Sequence, residues 1–269
     1  MAIKTAYGLD LAGYSTDGSA FAKAVQRDGD DQVGVMVIDQ HCFATKRDGW
    51  QRLDGILQEE VSLIEKCLAE GSLDVDVPID LQGLLARHDA VFVWELTKRP
   101  VDHAFGALPP LAQLIGSYVA RFCNIRGHLH DDPLGNCLFE TYPAASLKLM
   151  NLSYEKYKGE AEFAANEWIA VASNRPAEVE RNGNLAEILN ELGWTAAPQT
   201  HVGHDGFDAI LCALTGVSSP TDRLEGRSLQ NEICCRLQRA AGEIQVAPPC
   251  GYRLLKKRPK GVHIQTVLD

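Results

Sequence analysis

The order of apolar and polar residues predicts strands first and helices later. Residues 3–11 (IKTAYGLDL) are mostly apolar around Tyr7, Leu9 and Leu11, as in a buried strand. A Gly/Ser/Asp stretch from Gly13 to Ser19 follows, with turn chemistry. Residues 20–27 and 32–43 read as two further strands, and the turn-rich RDGDD from Arg27 to Asp31 joins them as a hairpin. From about Gly49 to Glu70 the residues Trp50, Leu53, Ile56, Leu57, Val61, Ile64, Cys67 and Leu68 recur in steps of three and four. That spacing makes the continuous stripe of an amphipathic helix. Asp48 stands at its N-cap with Gln51 in capping-box position, and Gly71 supplies the stop. The next segment, Leu73 to Leu81, is a short strand that Pro78 terminates or places at an edge.

Beyond residue 81 the pattern is less regular. Residues 90–96 suit a strand, and Pro109 and Pro110 open a helix that ends near Phe122. Residues 136–142 suit a strand, with Pro143 beginning the helix after it. Helices are expected near 160–172 and 184–192, the second with Leu185, Ile188, Leu189 and Leu192 on one face. A further helix at about 205–216 turns Phe207, Ile210, Leu211 and Leu214 to the core. EIQVA, 243–247, reads as a strand ahead of a basic tail.

The chain has 269 residues, enough for one large α/β domain. The expected layout is a single domain over 1–269 with an insertion at about 82–135 and a basic tail at 253–269. The first residues lack a signal peptide's basic start and apolar stretch, and no run of about 18 apolar residues occurs. The expectation is a cytoplasmic protein without a membrane span. The eight cysteines include no C-x-x-C pair and read as reduced thiols. Cys123, His128, His130 and Cys137 can be drawn as a zinc site, but their spacing matches no standard module. A formal net charge of −10 argues against strong non-specific binding to nucleic acid. The one basic cluster, Arg253, Lys256, Lys257, Arg258 and Lys260, reads either as a phosphate contact or, more commonly for such a run, as a solvated tail.

Candidate chemistry lies in acids placed where strands and helices end. Asp10 closes the first strand before the glycine turn, and Asp76 falls at the end of the strand after the long helix. Glu140 ends NCLFE, while Asp205 and Asp208 lie three apart in the first part of the 205–216 helix. In open α/β sheets, sites form beyond the strand ends. Three to five carboxylates from distant segments suit Mg²⁺ or Mn²⁺, hard cations that prefer oxygen ligands. Each acid alone also reads as a cap or turn residue. Asp80 and Glu95 compete for the place of the second acid, although the helix-then-strand order favours Asp76.

The segments GLDLAG (8–13), DVPIDL (76–81), ETYPAASLK (140–148) and HDGFDAILCALTG (204–216), with EIQVAP (243–248), resemble the "domain of unknown function 429" family of predicted RNase H-like nucleases. The resemblance is spread from about residue 6 to residue 250. It implies an RNase H-like α/β fold: a five-stranded mixed sheet flanked by helices, with the first three strands antiparallel. It implies Asp10 as the first-strand acid, Asp76 as the acid after the first helix, and Asp205 and Asp208 as the D-x-x-D-A pair. Glu140, in the E-x-Y-P motif, would be a further acid at the same pocket. Lys158 falls where the family often has a Tyr-Lys pair; an exposed helix lysine is its other reading.

The expected function is therefore divalent-metal-dependent hydrolysis of a phosphodiester in a nucleic acid or nucleotide. Asp10, Asp76 and Asp208 would hold Mg²⁺ or Mn²⁺, and Asp205 and Glu140 would assist. The acidic surface favours a small, structured or locally gripped substrate. Two other readings stand beside it. One is an ATP-handling protein like actin or the sugar kinases, whose phosphate loop GLDLAG loosely resembles, though no Walker-type motif occurs. The other is a non-catalytic binding or scaffold protein.

Overall fold

A computed structural model describes residues 3–14, 19–29, 31–38, 43, 52–81, 84, 96–113, 115–152, 163–164, 192–197, 201–237 and 250–267. Strand β1 (Ile3–Asp10) pairs antiparallel with β2 (Ala20–Arg27), which pairs antiparallel with β3 (Val33–Ile38). The predicted hairpin is there, and β3 is described as far as Ile38; positions 39–42 of the expected strand lie outside the described residues. Helix α1 (Leu53–Glu70) follows, stopped at Gly71, whose N–H donates to the Cys67 carbonyl. Its N-cap is Arg52, in extended conformation, so the helix begins later than expected; Asp48 and Gln51 lie outside the described residues.

Strand β4 (Ser72–Val75) stops before Pro78 and runs parallel to β1, with Leu9 opposite Val75. Helices α2 (Pro100–Phe105) and α3 (Gly116–Arg126) come next. The helix expected from Pro109 starts only at Gly116, because Pro109 and Pro110 enter a turn that Ala112 closes onto the Pro109 carbonyl at 2.8 Å. Strand β5 (Leu138–Glu140) leads into α4 (Pro143–Leu149), with Pro143 in the first turn as expected. Two-residue strand β6 (Phe163–Ala164) occupies part of the expected 160–172 helix. It pairs antiparallel with β8 (His201–Val202), which follows β7 (Thr195–Ala196). A long-range pairing thus overrides the local pattern at 163–164. The expected strand at 243–247, that at 90–96 except for exposed Leu96, and most of the helices at 160–172 and 184–192 lie outside the described residues.

Helix α5 (His204–Val217) extends the expected 205–216 by a residue at each end. Every residue from Phe207 to Val217 is buried, so the helix is covered all round. Strand β9 (Arg223–Glu225) and helix α6 (Gly226–Arg236) follow. The expected basic tail is not a tail. Arg253–Leu255 form β10, paired with β9, and Val262–Val267 form β11 inside the main sheet. Leu254, Leu255, Val262 and Ile264 are buried, and that apolar content pulls the segment into the fold despite its charge.

The main sheet has seven strands in the order β5-β4-β1-β2-β3-β11-β7, against the five expected. β2 alone runs against the rest, which makes the sheet mixed. The molecule is α/β, with helices on both faces. Alternation along the strands separates two cores. Ala6, Ala22, Ala24 and Val35 pack toward α5, while Tyr7, Leu9, Phe21 and Val75 pack toward α1 and α3. Among the described residues no helix is long and apolar enough to cross a membrane.

Candidate metal centre

Side-chain alternation selects which acids meet. Ala6 faces α5, so Gly8 and Asp10, two and four residues on, face it as well. In β4 the same face carries Ser72 and Asp74. Asp76 continues that alternation, since its N–H still donates to the Leu9 carbonyl at 2.9 Å. Because β1 and β4 are parallel and in register at Leu9 and Val75, Asp10 and Asp76 emerge at the same strand end. Helix α5 crosses this face with its N-terminal part over that end, and Asp208 projects from it.

Close approach of α5 depends on glycine. A Cβ on Gly8 would stand 1.9 Å from the Ala209 carbonyl oxygen and 2.4 Å from the Ala213 nitrogen. One on Gly216 would stand 2.4 Å from the Ala6 Cβ. The helix backbone thus rests on the β1 backbone, and Asp208 is carried within reach of Asp10.

Asp10, Asp76 and Asp208 each present a carboxylate oxygen, and these oxygens lie within 4.8 Å of one another. Asp208 is fully buried; the other two are half-buried. At an effective dielectric near 20, two full charges at that range repel by about 3 kcal/mol. Their field reaches α5 itself. Burial pushes the Cys212 thiol well above its ordinary value, and Asp76, Asp74, Asp10 and Asp208 add to the shift.

The other expected acids, Glu140 and Asp205, are not part of this group of three. β5 pairs in parallel with β4 so that Glu140 lies opposite Val75. Glu140 therefore shares the Val75 face, away from α5. Both its oxygens are taken up by Arg99, at 2.8 Å and 2.6 Å, and Oε2 also accepts from the Ile79 N–H at 2.9 Å. Burial pushes the Glu140 carboxyl up, and Arg99 opposes the shift. Burial also opposes the charge on Arg99, but Glu140 and Asp102 outweigh it and hold the guanidinium well above its ordinary value. Asp102 completes the set, with 2.8 Å from Arg99 Nη2 to Asp102 Oδ1. Asp205 sits in the first turn of α5, its Oδ1 2.7 Å from His204 Nδ1. Asp80 accepts from the Cys250 N–H at 3.0 Å, outside the acid group, and Glu95 lies outside the described residues. Lys158 also lies outside them.

Among the described residues, Asp10, Asp76 and Asp208 are the one set of three His, Cys, Asp or Glu residues with ligand atoms this close. The alternative zinc set does not assemble. His128 Nδ1 donates to the Asn124 carbonyl, and His130 lies beside Glu65. From the former basic cluster, Arg253 is buried and paired with Asp74, and Lys257 is paired with Asp222 at 2.6 Å.

Beside the acid group opens a cavity of about 340 Å³. Asp10 and Asp76 form part of its wall, Arg99, Asp102 and Glu140 another part, and Leu108, Ile115 and three tyrosines much of the rest. The turn after Asp10 is anchored from behind. Arg121 donates to the Ala12 carbonyl at 2.6 Å and pairs with buried Glu60, and Tyr14 donates to Glu60 Oε2 at 2.7 Å.

Several of these residues were invisible to sequence pattern. Arg99 and Asp102 fall in an irregular stretch where nothing marks an ion pair with Glu140. His204 had a usable signal, standing four residues before Asp208 and therefore on the same helical face. Compared with protein-family models, curated proteins and solved structures, the chain has no significant match in any of the three.

Proposed function

We propose that the protein is a divalent-metal-dependent phosphodiesterase of RNase H-like type, acting on a nucleic acid or nucleotide. The observation that carries this reading is the convergence of Asp10, Asp76 and Asp208, from three separate segments, at one strand end beside a cavity. Strands β5-β4-β1-β2-β3 form a contiguous mixed set in which β1, β2 and β3 pair antiparallel, as the family resemblance implies. On this reading β11 and β7 extend that set at its β3 edge.

The three carboxylates suit Mg²⁺ or Mn²⁺. They offer hard oxygen donors, their mutual repulsion favours a cation between them, and three protein ligands leave coordination positions for water and substrate. Such an ion lowers the pKa of a water and offsets charge building on the phosphoryl group. The chain's own part is placement. Buried Asp208 gives a fixed, water-excluded ligand, while half-buried Asp10 and Asp76 face the cavity from which substrate arrives. His204, its Nδ1 2.7 Å from Asp205 Oδ1, stands one helical turn before Asp208 on α5. Glu140 is a wall residue, locked by Arg99. The proposed location is the cytoplasm, where the seven described cysteines, all free thiols, would remain reduced.

Two measurements test the proposal. Calorimetry with Mn²⁺ should show binding to the wild type that Asp10→Asn or Asp208→Asn abolishes. Hydrolysis of bis(p-nitrophenyl) phosphate should require Mg²⁺ or Mn²⁺ and stop with either variant. Absence of Mn²⁺ binding, or hydrolysis that persists in chelator, would overturn it. Turnover of ATP alone would point instead to a kinase-like protein.

A further inference from the structure

We infer that the cavity beside the acid group receives the base and sugar of one unpaired nucleotide, so that the substrate is a nucleotide diester or a strand end and not the interior of a duplex. The inference rests on the phosphodiesterase reading and adds the class of substrate. Three observations carry it.

The first is size. At about 340 Å³ the cavity lies at the lower end of the range of roughly 300–1,000 Å³ typical of small-molecule sites. That is room for one nucleotide and too little for stacked base pairs.

The second is charge. Arg99 is the single cationic residue in the cavity wall among the described residues, and Glu140 and Asp102 already neutralise it. With Asp10 and Asp76 added, the wall is net negative. A polyanionic backbone, which is gripped by free lysines and arginines, finds no such grip in this wall. A single phosphate, directed to the acid group and its cation, meets no such conflict.

The third is the character of the remaining wall. Leu108, Ile115 and Ala107 give apolar surface, and Tyr118 and Tyr142 give aromatic surface, Tyr252 being buried with Arg99 over its ring. Leu108 is 48% exposed at the mouth, apolar area that a bound ring would cover. Aromatic side chains bind bases by stacking without regard to sequence. A phosphate at the acids and a flat, weakly polar group in the cavity together describe a nucleotide.

The test uses binding to the whole chain, so that it stands apart from catalysis. AMP, GMP, CMP and UMP are each titrated calorimetrically in Mn²⁺ against ribose 5-phosphate. At least one nucleotide should bind about 10-fold more tightly than ribose 5-phosphate, the gain expected from a base on an aromatic and apolar wall. Ala107→Trp, which fills the cavity, should erase that preference while Mn²⁺ affinity stays at the wild-type value. Leu108→Asp, at an exposed position that tolerates a polar side chain, should reduce it in the same way and serves if the larger replacement disturbs folding. The inference is overturned if none of the four nucleotides is preferred over ribose 5-phosphate, or if both variants keep the preference. Failure of the phosphodiesterase reading has a different signature, since bis(p-nitrophenyl) phosphate would then remain intact whether or not nucleotides bind.

Discussion

Replacing Gly8 by alanine should damage the acid group without touching any of its carboxylates. The added Cβ would sit 1.9 Å from the Ala209 carbonyl oxygen, 2.4 Å from the Ala213 nitrogen and 2.9 Å from the Cys212 Cβ. Ordinary contact begins at 3.4 Å, so α5 and β1 must separate by about 1.5 Å. The nearest obstacles are backbone atoms, which cannot turn aside as a long side chain can. Overpacking of this kind costs roughly 1–3 kcal/mol. For a domain of this size each kcal/mol lowers Tm by about 2–4 °C, so a fall on the order of 2–12 °C is expected. The same displacement moves Asp208 away from Asp10, and a misplacement near 1 Å at a site of this kind can cost about 100-fold in rate. Thermal unfolding followed by circular dichroism reads the first effect. Calorimetry with Mn²⁺ on folded protein reads the second, as affinity at least about 10-fold weaker. A Gly8→Ala protein with wild-type Tm and wild-type Mn²⁺ affinity would refute the claim that helix-on-strand contact sets the spacing of the acids.

Further outcomes follow from other contacts. Asp76→Asn should remove Mn²⁺ binding yet leave the metal-free protein at least as stable as wild type in chelator, because one source of carboxylate repulsion is gone; a clear loss of Tm would show that Asp76 is needed for folding instead. Arg99→Met strands Glu140 and Asp102 in the interior and should cost about 3–5 kcal/mol, a Tm lower by roughly 6–20 °C in thermal unfolding, with part of the loss recovered by adding Glu140→Leu. A fall below about 2 °C would mean that the pair is far better solvated than its burial indicates. Burial, with help from Arg223 and Arg253, lowers Lys4 from 10.5 to about 8. Between those values the unfolded chain holds the proton and the folded chain releases it, so stability rises with pH across that window. Denaturation midpoints of wild type should therefore gain on those of Lys4→Met as pH climbs from about 8 to 10.5, and parallel curves would contradict the assignment.

Much of the architecture was legible because it is written in short-range periodicity. Apolar residues in β1, turn chemistry at Arg27 to Asp31 and the three-and-four spacing up to Glu70 each involve neighbours a few residues apart. The strand-end positions of Asp10 and Asp76 and the helical position of Asp208 came from the same local signals. Glu140 shows where such signals stop. It too ends a strand, but the register of β5 on β4 places it opposite Val75 on the other face, where Arg99 holds it. No local pattern specifies that register.

The C-terminal segment carries the same lesson. Its five cations suggest a solvated tail, whereas its buried Leu254 and Leu255 are placed by β9, and its buried Val262 and Ile264 by partners more than two hundred residues earlier, at β3. Seven strands instead of five result from that pairing and from the return of β7. Local order along the chain therefore settled which residues stand at the ends of strands and helices, because backbone geometry within a few residues decides it. Which of those ends share a face, how near α5 can come to β1, and which acid is cancelled by which arginine were settled only by packing between distant segments, where a single glycine or a one-residue register determines the outcome.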